Sequence, residues 1–132
     1  MSRSKLREHI FRMLFCAEFN SVEEMKEQET LYFDSLEEAK GLDVDYILGK
    51  YSAVCERKEE IDELLNKYAE GWKTSRMSRV DLSILRLATY EILWDEEVPT
   101  GVAINEAVEL AKKYSSDEGP SFINGILAKV AI

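Results

Sequence analysis

A chain of 132 residues, 45% hydrophobic and 33% charged, has material for one substantial core and for a well-solvated surface. Its 26 acidic residues outnumber 17 basic ones, for a net charge of −9, and two cysteines are too few for a disulfide scaffold. No run approaches the roughly eighteen apolar residues of a membrane span, and Arg12 interrupts the short apolar stretch near the start, which reads against a secretory leader. The expectation is a cytoplasmic soluble domain, with Cys16 and Cys55 as buried thiols in a reducing compartment.

Apolar residues recur at intervals of three and four throughout, and strand-like alternation is absent, so the chain reads as all-α. In the first segment Leu6, Ile10, Met13, Leu14 and Ala17 share one arc of a helical wheel. Lys5, His9 and Arg12 share the opposite arc, and Arg3 and Arg7 lie near the edge of the apolar stripe. Asn20 or Ser21 caps a second helix, with Glu23 and Glu24 favourably near its N-terminal dipole. Its apolar members are Met25, Leu31, Tyr32, Leu36 and Ala39, and Gly41 is a natural stop. Asp43 or Asp45 starts a third segment with Tyr46, Ile47, Tyr51 and Val54 as core candidates. The polar run from Glu56 to Glu60 is either a break or the exposed face of a longer helix. Ile61, Leu64, Leu65 and Tyr68 then resume the stripe until Gly71.

Trp72 to Met77 reads as a short connection, and Ser78 with Asp81 three residues on resembles a capping box. The helix it opens, RVDLSILRLATYEILW, is apolar on nearly every side and is therefore expected at the centre of the core. Pro99 and Thr100 precede VAINEAVELAKKY, whose Lys112 and Lys113 suit a C-terminal dipole. The loop SSDEGP leads into the last helix, SFINGILAKVAI. About seven helices result.

Charge is distributed unevenly: residues 1–16 are net +3, residues 17–70 net −10 and residues 71–132 net −2. This asymmetry constrains partners and not fold. It suits either a merely solvated surface or a small nucleic-acid footprint beside an acidic face for a basic protein. Catalytic chemistry is poorly signalled. His9 is the one histidine, its nearest thiol at helical spacing is Cys16 two turns away, and no third member orients the pair. There is no His/Cys cluster for a metal and no phosphate-cradling glycine loop, and the carboxylates, as in Glu37-Glu38 and Glu59-Glu60, fall on helical surface runs. We expect no enzyme, no cofactor and no metal.

Polar residues inside apolar helices carry more. Arg86, within LSILRLAT, either pairs with Glu106 to fix helix packing or reaches a surface to hold a phosphate or a partner's carboxylate. In SFINGIL, Phe122 and Ile126 suit a core, but Ser121, Asn124 and Gly125 make the turn small and polar. A helical glycine costs roughly 1 kcal/mol relative to alanine, which implies close backbone approach at Gly125. An exposed aromatic beside small donors is a common way to hold single-stranded RNA bases.

Three separated blocks, MSRVDLSILRLATYEIL, VPTGVAINEAVELAKKYS and FINGIL, resemble the NusB family of bacterial transcription antitermination factors, and REHIFRMLF parallels the family's basic opening. The resemblance implies one RNA-binding domain over residues 1–132, built as two packed helical subbundles with approximate halves 1–71 and 72–132. It implies a non-catalytic factor that binds the boxA element of ribosomal RNA leader transcripts together with the ribosomal protein NusE. That complex joins NusA and NusG on RNA polymerase and suppresses premature termination. Carried onto this sequence, Arg3, Lys5 and Arg7 match the arginine-rich RNA motif, with Arg12 on the same helix, and Phe122, Asn124 and Gly125 match the FxNG turn near the RNA. Asp81 and Arg86 match central-helix residues near the surface that meets RNA and NusE, and Asp81 can cap its helix as well. Some members of the family dimerise, so a homodimer stays open.

The chain departs from the pattern where Ser2, Ser4 and Leu6 interrupt the arginines and where Ser121 replaces a frequent lysine. Both departures remove positive charge, so weak binding of RNA alone and stronger dependence on NusE are expected. Two alternatives remain: a helical adaptor for proteins only, and an RNA-targeting module akin to the N-terminal domains of ribosomal RNA methyltransferases. No methyltransferase domain follows in this sequence, which favours the free-standing factor.

Overall fold

The computed structural model describes residues 1–36 and 41–132, and the described residues form seven α-helices and one 3-10 turn without a strand. The helices are α1 (Arg3–Ala17), α2 (Val22–Ser35), α3 (Gly41–Glu56), α4 (Lys58–Tyr68), α5 (Arg79–Trp94), α6 (Thr100–Tyr114) and α7 (Gly119–Val130), with the 3-10 turn at Thr74–Arg76. No helix among the described residues is long and apolar enough to cross a membrane. The chain divides into two compact units, Met1–Cys55 and Glu56–Ile132. The expected Glu37, Glu38 and Ala39 features lie outside the described residues.

In the first unit Ser2 caps α1, its hydroxyl accepting from the Lys5 N–H at 3.1 Å. Ser21 caps α2 with a full capping box. Its hydroxyl accepts from the Glu24 N–H at 3.1 Å, and the Glu24 carboxylate accepts from the Ser21 N–H at 2.8 Å. That bond from the Ser21 backbone holds the Glu24 carboxyl below its usual range. The box's contribution is therefore complete above the unfolded pKa and fades as pH falls through the lowered folded value. Gly41 lies in α3, where a stop was expected. Leu6, Ile10, Met13, Leu14, Met25, Ile47, Tyr51 and Val54 are buried. Cys16 is half-buried and Cys55 exposed, which corrects the expectation of two buried thiols.

In the second unit the polar run is a break. Arg57 leaves helical geometry (φ −103°, ψ 11°) between α3 and α4. After α4, Gly71 takes the left-handed conformation (φ +79°), which an L side chain adopts only under strain, and so reverses the chain toward the 3-10 turn. Ser78 caps α5, and every residue from Leu82 to Thr89 is buried, so α5 is the central helix with α4, α6 and α7 packed on it. The buried stripe of α6 is Ala103, Ala107, Leu110 and Ala111. Three alanines spaced by four let neighbouring backbones approach closely. From α7, Ile123, Ile126, Leu127 and Val130 complete the core.

Leu85 is fully buried at the middle of this packing. Leu85→Ala is expected to lower unfolding free energy by about 2–5 kcal/mol in urea titration. Leu42→Ala, at a position 85% exposed, should change it by less than about 0.5 kcal/mol.

Candidate nucleic-acid interface

The candidate residues lie on both units. On the first, α1 is buried over more of its circumference than a single apolar stripe requires: every residue from Leu6 to Phe11 is buried, with Met13 and Leu14. Arg3, Lys5 and Arg12 are exposed, but Arg7 is 5% and His9 2% exposed. The expectation that His9 faces outward, and that Arg7 presents its charge with the other bases, is corrected on that ground. His9 Nδ1 is hydrogen-bonded to the Tyr32 hydroxyl of α2, with the rings edge to face. The Arg3 guanidinium carbon sits 4.3 Å from the centroid of the Tyr46 ring on α3. Lys50, buried one turn later on α3, donates to the Tyr46 hydroxyl at 2.8 Å. The chain's terminal ammonium lies 3.5 Å from Asp43 on the same helix.

On the second unit the start of α5, the end of α6 and the start of α7 meet. The Ser78 hydroxyl accepts from the Asp81 N–H at 3.1 Å, the capping bond expected from sequence. The Asp81 carboxylate accepts a 2.6 Å bond from the Ser115 hydroxyl at the end of α6. Gly119 begins α7 directly against Ser115. A methyl at Gly119 would fall 2.6 Å from Ser115 Cβ and closer still to its hydroxyl oxygen. The absence of a side chain at Gly119 thus lets Ser115 reach Asp81.

Beside this junction is an open cleft of about 160 Å³, whose walls include Trp72, Phe122, Arg76, Asp81, Ser116 and Glu118. Trp72 is 54% exposed and meets Phe122 edge to face, ring centroids 6.0 Å apart at 76°. The structure therefore brings Asp81 and Phe122 to one cleft. Asn124 and Gly125 lie on the exposed face of α7, and among the described residues nothing would come within 4 Å of a methyl at Gly125. Trp72 and Arg76 went unnoticed in the sequence. A tryptophan between a helix-ending glycine and a serine cap, with Lys73 beside it, was the available signal.

Arg86 follows the pairing reading, and Asp62 is an acid that it pairs with. Its Nε and Nη2 donate to the two carboxylate oxygens of Asp62 on α4 at 2.8 and 2.7 Å. The guanidinium is buried, its side chain 8% exposed against 23% for Asp62. Asp62 is not evident as a partner from sequence, and Glu106, the acid expected there, is half-buried on α6. A bidentate pair this enclosed ties α4 to α5. Asp62→Ala leaves a buried cation without its fork partner and should cost about 3 kcal/mol in urea unfolding. Removing both partners as Asp62→Leu with Arg86→Met should recover most of that loss.

The sequence model of the NusB family matches residues 4–132. The transcription antitermination protein NusB of Lachnoclostridium phytofermentans is 52% identical over 130 residues, covering 98% of each chain. The solved structure of T. maritima NusB superposes with a TM-score of 0.87 at 33% identity, covering 99% of this chain and 91% of that one. A crystal structure of the antitermination factors NusB and NusE in complex with dsRNA shares the fold, with a TM-score of 0.81 at 21% identity over 99% of this chain and 98% of that one. With a family match over nearly the whole length and the fold in agreement, the chain belongs to the NusB family.

Proposed function

We propose that this chain is a non-catalytic transcription antitermination factor. It binds boxA single-stranded RNA of ribosomal RNA leader transcripts together with the ribosomal protein NusE. Through that complex it acts with NusA and NusG on RNA polymerase in the cytoplasm, residues 1–132 serving as one RNA-binding module. The observation that carries this reading is the edge-to-face pair of exposed Trp72 and half-buried Phe122 lining the cleft. Stacking on such aromatics contributes about 1–3 kcal/mol per base and accepts any base with an open face.

The cleft's charges suit a base better than a phosphate. Asp81 and Glu118 are acceptors only, so they match the amino and ring N–H groups of base edges and repel a phosphodiester. Phosphate contacts fall instead to exposed cations: Arg76 at the cleft, and Arg3, Lys5 and Arg12 on α1. Arg7 is too enclosed to share that role as the structure stands. Gly125 and Asn124 leave a low, polar strip along α7 on which a strand can lie close to the backbone.

Partner binding is supported by the exposed carboxylates of α2 (Glu23, Glu24, Glu27, Asp34) and of α4 (Glu59, Glu60, Glu63). These suit a basic ribosomal protein and would steer its encounter. The existence of a NusB-like fold bound to NusE and RNA supports the same pairing of partners. His9 offers no support for catalysis, since it is enclosed and bonded to Tyr32.

With four bases in the first sixteen residues and serine at position 121, few phosphates are neutralised. Fluorescence-anisotropy titration with boxA-containing and scrambled single-stranded RNA, with and without NusE, tests the proposal. The expected result is weak, salt-sensitive binding alone and a clear boxA preference once NusE is present. Phe122→Ala should weaken that complex by roughly tenfold. Equal binding of boxA and scrambled RNA under both conditions would point to a protein-only adaptor.

A further inference from the structure

We infer that Tyr46 and Lys50 of α3 are positioning residues for RNA binding, acting through Arg3 of α1; this rests on the RNA reading above. A lone exposed arginine at a helix start samples many rotamers, and immobilising it on a phosphate costs affinity. Here the Arg3 guanidinium is already seated over the Tyr46 ring, 4.3 Å from its centroid. A flat cation on an aromatic face keeps its N–H donors in the guanidinium plane, and those donors can still bond a phosphate.

The ring is itself held. Lys50 Nζ donates to the Tyr46 hydroxyl at 2.8 Å and lies 5.0 Å from the ring centroid. Lys50 is 8% exposed, so this anchor is enclosed, whereas Arg3 stays at the surface. A second tie joins the same two elements: the terminal ammonium of Met1 sits 3.5 Å from Asp43, one turn before Tyr46 on α3. The start of α1 is thereby fixed on α3 by two contacts, and Arg3 leaves that seat with one planar charge oriented. A chain poor in arginine at its opening makes more of each arginine in this way.

The test is a mutant cycle read by anisotropy on boxA-containing single-stranded RNA with NusE present. Tyr46→Leu should weaken binding by roughly two- to fivefold, and Tyr46→Phe, which keeps the ring but loses the hydroxyl that Lys50 holds, should fall between Tyr46→Leu and the unaltered chain. In an Arg3→Ala background Tyr46→Leu should have no further effect, whereas in an Arg12→Ala background its full effect should persist. Arg3→Ala should also flatten the dependence of log affinity on log salt by about 0.7. Arg3→Lys leaves the ring untouched and serves if Tyr46→Leu lowers the urea midpoint. It keeps the charge without the planar fork, and should lose about two- to fivefold.

Equal losses from Tyr46→Leu with and without Arg3 would overturn the inference while leaving the RNA reading intact. So would an Arg3→Lys variant that binds like the unaltered chain. If the unaltered chain with NusE shows no preference for boxA RNA, the RNA reading falls and the inference falls with it.

Discussion

The second unit depends on one constraint: α5 must be surrounded. Eight consecutive residues, Leu82 to Thr89, are buried, and no single neighbouring helix can cover all sides of a cylinder. The chain meets this by setting α4, α6 and α7 around α5, and α6 comes close because its inward stripe is mostly alanine. Burying α5 also buries Arg86, whose charge then requires a carboxylate in fixed geometry. Asp62 meets that requirement, and the fork restricts how α4 can slide along α5 more sharply than aliphatic packing would.

The same helix links core to surface. Its first turn carries Asp81, whose carboxylate receives the Ser115 hydroxyl and so holds the end of α6. Gly119 packs α7 against that serine, and the first turn of α7 then delivers Phe122 to Trp72. The cleft thus follows from the way three helix ends are joined, and its aromatic pair is a product of core architecture.

What could be read from sequence was local. Capping at Ser21 and Ser78 involves partners three residues away, and the apolar circumference of α5 is a property of one segment, so both were visible. Long-range choices were not. Arg86 announces a need for an acid, but nothing in its neighbourhood points to Asp62, twenty-four residues upstream. A helical wheel assumes one buried side, whereas α1 is enclosed on more than one, so His9 was placed outward and Arg7 at the edge of the stripe. Gly41 shows the limit of a single residue as punctuation, since a glycine read as a stop lies in α3. Trp72 was hidden for another reason: in sequence it belongs to a connection, and only the Gly71 reversal and the placement of Phe122 make it part of a surface.

Gly71 and Gly119 flank this surface as two positions where a side chain would be strained or would clash. Backbone set by such positions has few alternative shapes, so on the proposed RNA reading Trp72 and Phe122 would meet an incoming strand nearly as they stand. The protein loses its conformational freedom there when it folds, and little remains to be lost on association. On that reading the entropic penalty of complex formation would fall mainly on the nucleic acid, whose own unstacking and flexibility would govern how binding responds to temperature.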